Sequence, residues 1–437
     1  MKKRTILAAC LIATVLAAPL FAGGQREKVQ ENVLEYASMW NPGEPQAVYM
    51  EEMARKFEAE TGIRVDISFA GRDVLTKIRS RILMGDVPDI VEQDFSELAG
   101  AFLRNDGILV QPLTDFFYQT PGPEGQPTMM DLFDENVITL YAHNNEIYFF
   151  PYEFITSGFF YDKTLFAEQG LSAPRTWDEF IQVNRDLKAA GIPPLALDGN
   201  ISFYNAYYYY WALTRVMGPG HLARAAGDRT GKTWDDPGYL EAARMVHQLS
   251  AGGENFFQPG YAGSNYPAAQ ADWALNRSGS ILCGTWIPSE TREQTVDGFE
   301  VGFYPFPEVP GGAGSVGDVE AYLIGFAVPV EAKNPEAARE FMRFISRKEH
   351  ANQLARDTIN IAARTDAAYP RLLEGVRPTL EGARRFHVSY DGVMQLYPEW
   401  FANVFYPVDN ALVFGNITPE EFISRMKADT IAFWRNR

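Results

Sequence analysis

The sequence predicts an α/β protein built as two domains, with a parallel sheet in the first. Three observations carry this expectation. At 437 residues and 46% apolar, the chain is long enough for more than one hydrophobic core. Its amino-terminal part alternates strand-like and helix-like stretches at the spacing of parallel strands joined by crossover helices. From Glu146 to Phe180, an apolar-aromatic run (Ile147 to Phe150) is stopped at Pro151, passes Glu153 and resumes from Gly158 to Tyr161, which makes one extended path with a break in it.

Taken in order, Val33 to Met39 reads as a strand, and Trp40-Asn41-Pro42-Gly43-Glu44-Pro45 as a turn that presents a large ring directly after it. A helix with Met50, Met53, Ala54 and Phe57 on one face closes at Gly62, and Ile63, Val65, Ile67 and Phe69 alternate as the next strand. A second helix stops near Gly85 and feeds the short strand Asp89-Ile90-Val91, which ends at Gln93-Asp94. In open parallel sheets, ligands sit beyond the carboxyl ends of the strands. That rule selects Trp40 to Glu44, Gly71 to Asp73 with Arg72 among them, and Asp94.

After the broken path, Thr176 and Glu179 have the spacing of a capping box and start a helix that continues to Gly191. Residues 201 to 216 form a helix carrying Tyr207 to Trp211, with rings on several faces at once, so at least one ring is expected to be exposed; Trp211 or Tyr207 is the candidate for the cleft, and any single ring fits equally well as core packing against neighbouring helices. Further helices are expected over Pro237 to Leu249 and Tyr266 to Arg277, then the strand leading to Trp286. Phe299 to Pro307 reads as a strand returning to the first domain. Gly312, Gly314 and Gly317 have dinucleotide-loop spacing but precede a strand, not a helix, so a plain loop is expected. Asp318 to Val328 is a strand, Asn334-Pro335 caps a helix, and Thr418 with Glu421 forms a second capping box.

Composition narrows the function. Lys2, Lys3 and Arg4 ahead of the apolar run Ile6 to Leu16 read as a secretory signal, cleaved after Ala22. A competing lipobox at Leu7-Ala8-Ala9-Cys10 leaves only Ile6 and Leu7 as apolar core ahead of it, so lipid anchoring at Cys10 is the lesser reading. The formal net charge is −17, which disfavours nucleic acid and anionic membrane as partners. After cleavage only Cys283 remains, which leaves no intramolecular disulfide, and the five histidines show no metal-ligand spacing. No cofactor and no metal are implied.

Several strings resemble the family 1 extracellular solute-binding proteins, the sugar-type receptors of ABC importers: FFYDKTLFAEQGL with PRTWDEF, KFEAETGIRV, GDVPDIVEQD and NRSGSILCGTW, within a likeness running from Glu51 to Trp434. The resemblance implies a two-lobed periplasmic-binding-protein fold, each lobe a sheet flanked by helices, with strands passing between them as hinges. It implies a signal at 1–22, a leader at 23–32, lobe 1 at 33–153 and 299–328, and lobe 2 at 154–298 and 329–437. By motif match, Asp94 would serve sugar hydroxyls, Trp286 would lie on the cleft floor and Asp318 would start a strand at the cleft. The segment INIAARTDA has Ala362 or Ala363 where the family usually has proline, so no role passes to Arg364.

Two functions fit. One is a binding protein that closes over a sugar or polyol using Trp40, Asn41, Glu44, Arg72, Asp94, Glu153, Trp211, Trp286 and Asp318, then docks as a monomer on a membrane permease. Rings stack on sugar C–H faces, while acids and amides take the hydroxyls. The other is a secreted glycoside hydrolase with Glu153 and Asp94 as its carboxyl pair; no catalytic signature surrounds them.

Overall fold

The computed structural model describes residues 32–104 and 107–437; the expected signal segment, and the leader apart from Asn32, lie outside the described residues. Val33–Ser38 (β1), Arg64–Phe69 (β2) and Ile90–Asp94 (β3) are parallel neighbours in the order β2-β1-β3, connected through helices Pro45–Thr61 (α1) and Val74–Leu83 (α2). Helix α1 buries Met50, Met53, Ala54 and Phe57, a stripe at helical spacing. It ends at Gly62, whose left-handed φ of 74° lets its N–H reach the Glu58 carbonyl. Strand β3 runs directly into helix Phe95–Phe102 (α3).

The broken path is two strands. Phe149–Ile155 (β4) joins the β1–β3 sheet, and Ser157–Asp162 (β5) belongs to a second sheet, with Thr156 between them. Pro151 does not stop β4 as the sequence predicts, because the ladder to the neighbouring strand skips a residue there: Ile324 faces Glu153 and Gly325 faces Pro151. A bulge tolerates a residue without an N–H donor. Gly325 is required at this point, since a Cβ would lie 2.0 Å from the Phe150 carbonyl oxygen.

Beyond β5 come helix Trp177–Ala189 (α4), opened by the Thr176–Glu179 capping box, strand Leu195–Ala196 (β6), and helices Ser202–Met217 (α5) and Pro237–Leu249 (α6). Strand Ser280–Gly284 (β7), helix Ile287–Thr291 (α7) and strand Val301–Tyr304 (β8) follow. The smaller sheet has the order β8-β5-β7-β6. Phe299 to Pro307 therefore does not itself return to the first sheet. The return is made through the glycine loop, which packs on the end of α5: Ala313 and Gly314 donate to the Val216 and Arg215 carbonyls.

Strand Asp318–Ala327 (β9) crosses back and lies antiparallel between β3 and β4. Residues 329–437, expected in the second lobe throughout, divide between the sheets. Helices Pro335–Ile345 (α8) and Lys348–Thr358 (α9) pack on α1, strand Ile361–Ala362 (β10) pairs with β4, and strand Arg385–Val388 (β11) pairs with β9. Helices Tyr406–Val413 (α10) and Pro419–Arg435 (α11) pack on α5 and α6, and α11 opens with the Thr418–Glu421 capping box. Asn334 does not cap α8: its amide donates to the Val33 carbonyl, tying the helix start to β1. Two large apolar cores result, one around β1–β4 and β9, the other around α5, α6 and α10.

Candidate functional site

Between the two sheets lies a cleft of about 760 Å³, toward the upper part of the roughly 300–1,000 Å³ usual for ligand sites. One wall rises from the larger sheet. Trp40 follows β1, Arg72 follows β2 and Asp94 ends β3, so the carboxyl ends of the three parallel strands converge there. Glu153 and Ile155 of β4 and Tyr322 and Ile324 of β9 alternate along their strands and form the floor. The other wall comes from the second sheet and its helices: Phe203 and Tyr204 on the first turn of α5, Tyr266, Trp286, and Glu290 one helical turn beyond Trp286.

Trp40 is not the freely exposed ring that its turn suggests. It is 5% exposed, and its Nε1 donates to Glu92 Oε1 at 2.7 Å and to the Tyr152 hydroxyl at 2.9 Å. The Arg72 guanidinium lies 4.5 Å from the ring centroid, and Arg72 also pairs with Glu44 at 2.9 Å and donates to the Met39 carbonyl. Glu92 lies beneath this group, fully buried, and accepts from Tyr36, Ser38, Trp40 and Tyr152. Burial raises its carboxyl, and the four donors oppose that rise.

Asp94 combines two positions. Its Oδ1 caps α3 by accepting from the Ser96 and Glu97 amides, both at 3.0 Å, while the residue also lines the cleft. Burial, with the Glu97 charge adding to it, pushes its carboxyl up to about 7. Glu153 stands at the cleft floor with 0% of its surface exposed, and neither carboxyl oxygen finds a well-formed hydrogen bond within the protein; the Gln46 side chain and then the Arg72 charge favour its ionised form. Burial, then the neighbouring Glu92, push it up to about 8. A buried carboxyl at the cleft floor without a well-formed donor keeps its hydrogen-bonding capacity unspent.

Across the cleft, the Trp286 ring packs on Gly284, where a Cβ would lie 2.0 Å from it, and stacks with Tyr204 at a centroid separation of 6.5 Å and 26°. Burial raises the Glu290 carboxyl, which the Gln270 and Tyr266 side chains partly offset.

Three expected site residues lie elsewhere. Asn41 is exposed and folds onto Glu44, donating to it from both its backbone and its side-chain amide at 3.0 Å, so only Glu44 of the pair faces the cleft. Trp211 is 2% exposed in the second core, because this part of helix α5 is packed on all sides; Tyr207 to Tyr210 are equally buried, and the α5 rings that reach the cleft are Phe203 and Tyr204 on its first turn. Asp318 is drawn away by Arg385, whose Nε donates to it at 2.9 Å, and its Oδ2 accepts from the Ser315 amide. Conversely, Tyr204, Tyr266, Glu290, Glu97 and Tyr322 were not expected. Glu290 at four residues from Trp286, and Tyr322 at an even spacing on its strand from Ile324, were visible as same-face neighbours. Tyr266 carried no such signal.

Among the described residues, no group of histidine, cysteine and acid side chains could hold a metal ion, and no helix is long and apolar enough to cross a membrane. The model of the bacterial extracellular solute-binding protein family matches residues 41–352. The chain is 25% identical over 346 residues to a multiple sugar-binding protein of Streptococcus mutans, covering 77% of this chain and 76% of that one. It is 26% identical over 293 residues to a diacetylchitobiose binding protein of Streptomyces coelicolor, covering 64% and 59%. Among solved structures, a chitin oligosaccharide binding protein superimposes with a TM-score of 0.73 at 21% identity, over 91% of this chain and 98% of that one. A chain solved in connection with xylan utilization by Caldanaerobius polysaccharolyticus gives 0.74 at 19%, over 91% and 99%.

Proposed function

The chain belongs to the bacterial extracellular solute-binding proteins, and from that premise we propose that it is the substrate-binding component of an ABC importer, capturing a carbohydrate or polyol in the interlobe cleft. The observation that carries this reading is the opposition of Trp286 and Tyr204 on one wall to the donor-free Glu153 on the floor. Rings stack on the C–H faces of a sugar while the carboxylate accepts its hydroxyls. The strand pairs β4–β5 and β8–β9 connect the two sheets and serve as hinges, so a ligand touching both walls favours the closed form by its differential contacts. The closed protein, a secreted monomer released after Ala22, docks on a membrane permease.

The hydrolase alternative uses the same acids but is less well supported. Asp94 and Glu153 both stand on the larger sheet, on the same side of the cleft, whereas hydrolysis needs carboxyl groups on either side of one bond. Calorimetry and thermal shift over a panel of neutral mono- and oligosaccharides test the reading. Saturable heat and a raised melting temperature with the sugar recovered intact are expected. Cleaved products, or no binding across the panel, overturn it.

A further inference from the structure

Behind the floor of the cleft is a second hollow of about 300 Å³. Strand alternation places it there: Glu153 and Ile324 face the cleft, while their neighbours Phe154 and Leu323 point to the opposite face and line the rear hollow. The two cavities share two strands and no residue.

The rear hollow is walled mainly by apolar groups, among them Val137, Ile138, Ile361 and Phe386. Two of its lining residues carry a buried, unsatisfied polar atom: the Tyr369 hydroxyl and the Nε of Arg377. They belong to one unit, since the Arg377 guanidinium lies 4.8 Å from the Tyr369 ring centroid and is held from outside by Glu374, to which it donates at 2.9 Å. The cavity's other arginine, Arg364, spends four of its five N–H groups on Asp366, Glu124 and the Ser346 carbonyl, so it is largely committed to the protein itself. Buried donors without acceptors are costly and uncommon in native proteins.

We propose that this rear cavity is a second binding site, taking a small molecule with an apolar, ring-sized body and one acceptor head, a carbonyl or a carboxylate, that accepts from Tyr369 Oη and Arg377 Nε. The body fills the apolar walls and the head satisfies both donors. The site is independent of the cleft and stands whether or not the cleft binds sugar.

The test is fluorine NMR titration of the whole chain with 4-fluorobenzamide and 4-fluorobenzoate, which separate a neutral from an anionic head, and with 4-fluorotoluene, which has none. At least one acceptor probe is expected to bind saturably in the millimolar range and 4-fluorotoluene more weakly. Arg377→Leu should weaken the acceptor probe by about tenfold, the loss of one hydrogen bond from a charged donor. Ala367→Trp, which fills the hollow, should abolish binding, and Trp286→Ala in the cleft should leave it unchanged. Melting curves of each variant establish that it is folded. No saturable binding of either acceptor probe, equal binding of 4-fluorotoluene, or equal affinity in a folded Arg377→Leu variant overturns the proposal.

Discussion

The indole Nε1 of Trp211 donates to Ser157 Oγ at 2.9 Å, and that hydroxyl in turn donates to the Glu320 carboxylate. The three residues lie on α5, the start of β5 and β9, so the chain of bonds joins the smaller sheet to a strand of the larger one just past the break at Thr156. Burial pushes the Glu320 carboxyl up to about 7, and the Ser157 and Ser389 hydroxyls oppose the rise. Trp211 is thus a structural member of the junction. Trp211→Phe keeps an aromatic ring but removes the bond that the Ser157 hydroxyl accepts, leaving only its donation to Glu320. It is expected to cost about 1–3 kcal/mol in urea unfolding and to leave ligand affinity measured by calorimetry unchanged; a selective loss of affinity would return the ring to the site.

Trp286 is the counterpart on the cleft side. Its ring is half-buried against Gly284 and Tyr204, at the edge of both apolar cores, and lines the cleft. Trp286→Ala should weaken sugar binding by roughly 2 kcal/mol or more, as for a central aromatic anchor, with a circular dichroism spectrum and cooperative melt like the wild type. An unchanged dissociation constant would make the ring a packing element.

Asp94 requires two substitutions, because it caps a helix and faces the ligand. Asn keeps an acceptor for the Ser96 and Glu97 amides, so Asp94→Asn should retain stability, whereas Asp94→Ala should lose about 0.5–2 kcal/mol. Both remove the charge offered to a sugar hydroxyl and should weaken binding alike. If Asp94→Asn binds like wild type, the carboxylate serves the helix alone.

How much of this was legible in the sequence follows from the range of each interaction. Thr176 with Glu179, Thr418 with Glu421, and the strand-helix alternation through β3 are local patterns, and local patterns survive folding. The strand ends that gather Trp40, Arg72 and Asp94 follow from topology. Pro151 misled because its bulge depends on a glycine 174 residues away in the chain, Gly325. The Tyr207–Trp211 run misled because helices from the far end of the chain cover the side that would otherwise be free. Asp318 was claimed by Arg385, a partner that only the pairing of β9 with β11 brings near.

Glu153 ties stability to function with opposite signs. In an unfolded chain its carboxyl releases its proton near 4.5, whereas in the ligand-free fold burial and Glu92 hold the proton up to about 8. Between those values the folded state binds more protons than the unfolded one, so this group's contribution to stability falls as pH rises, by at most about 1.4 kcal/mol per pH unit. Glu153→Gln removes the titration; its melting temperature without ligand should exceed that of wild type at pH 8 and lose that advantage near pH 5. Binding runs the other way. A sugar hydroxyl donating to the carboxylate favours the ionised form, so wild-type affinity should rise with pH and flatten above about 8. In Glu153→Gln that rise should shrink to the part owed to Asp94, ending near pH 7. The variant should also bind more weakly by about 1.5–3 kcal/mol, the usual worth of a hydrogen bond to a charged group. Calorimetry across pH 5–9 with parallel melting curves measures both; a variant no more heat-stable than wild type at pH 8 would mean that Glu153 is already solvated in the empty cleft.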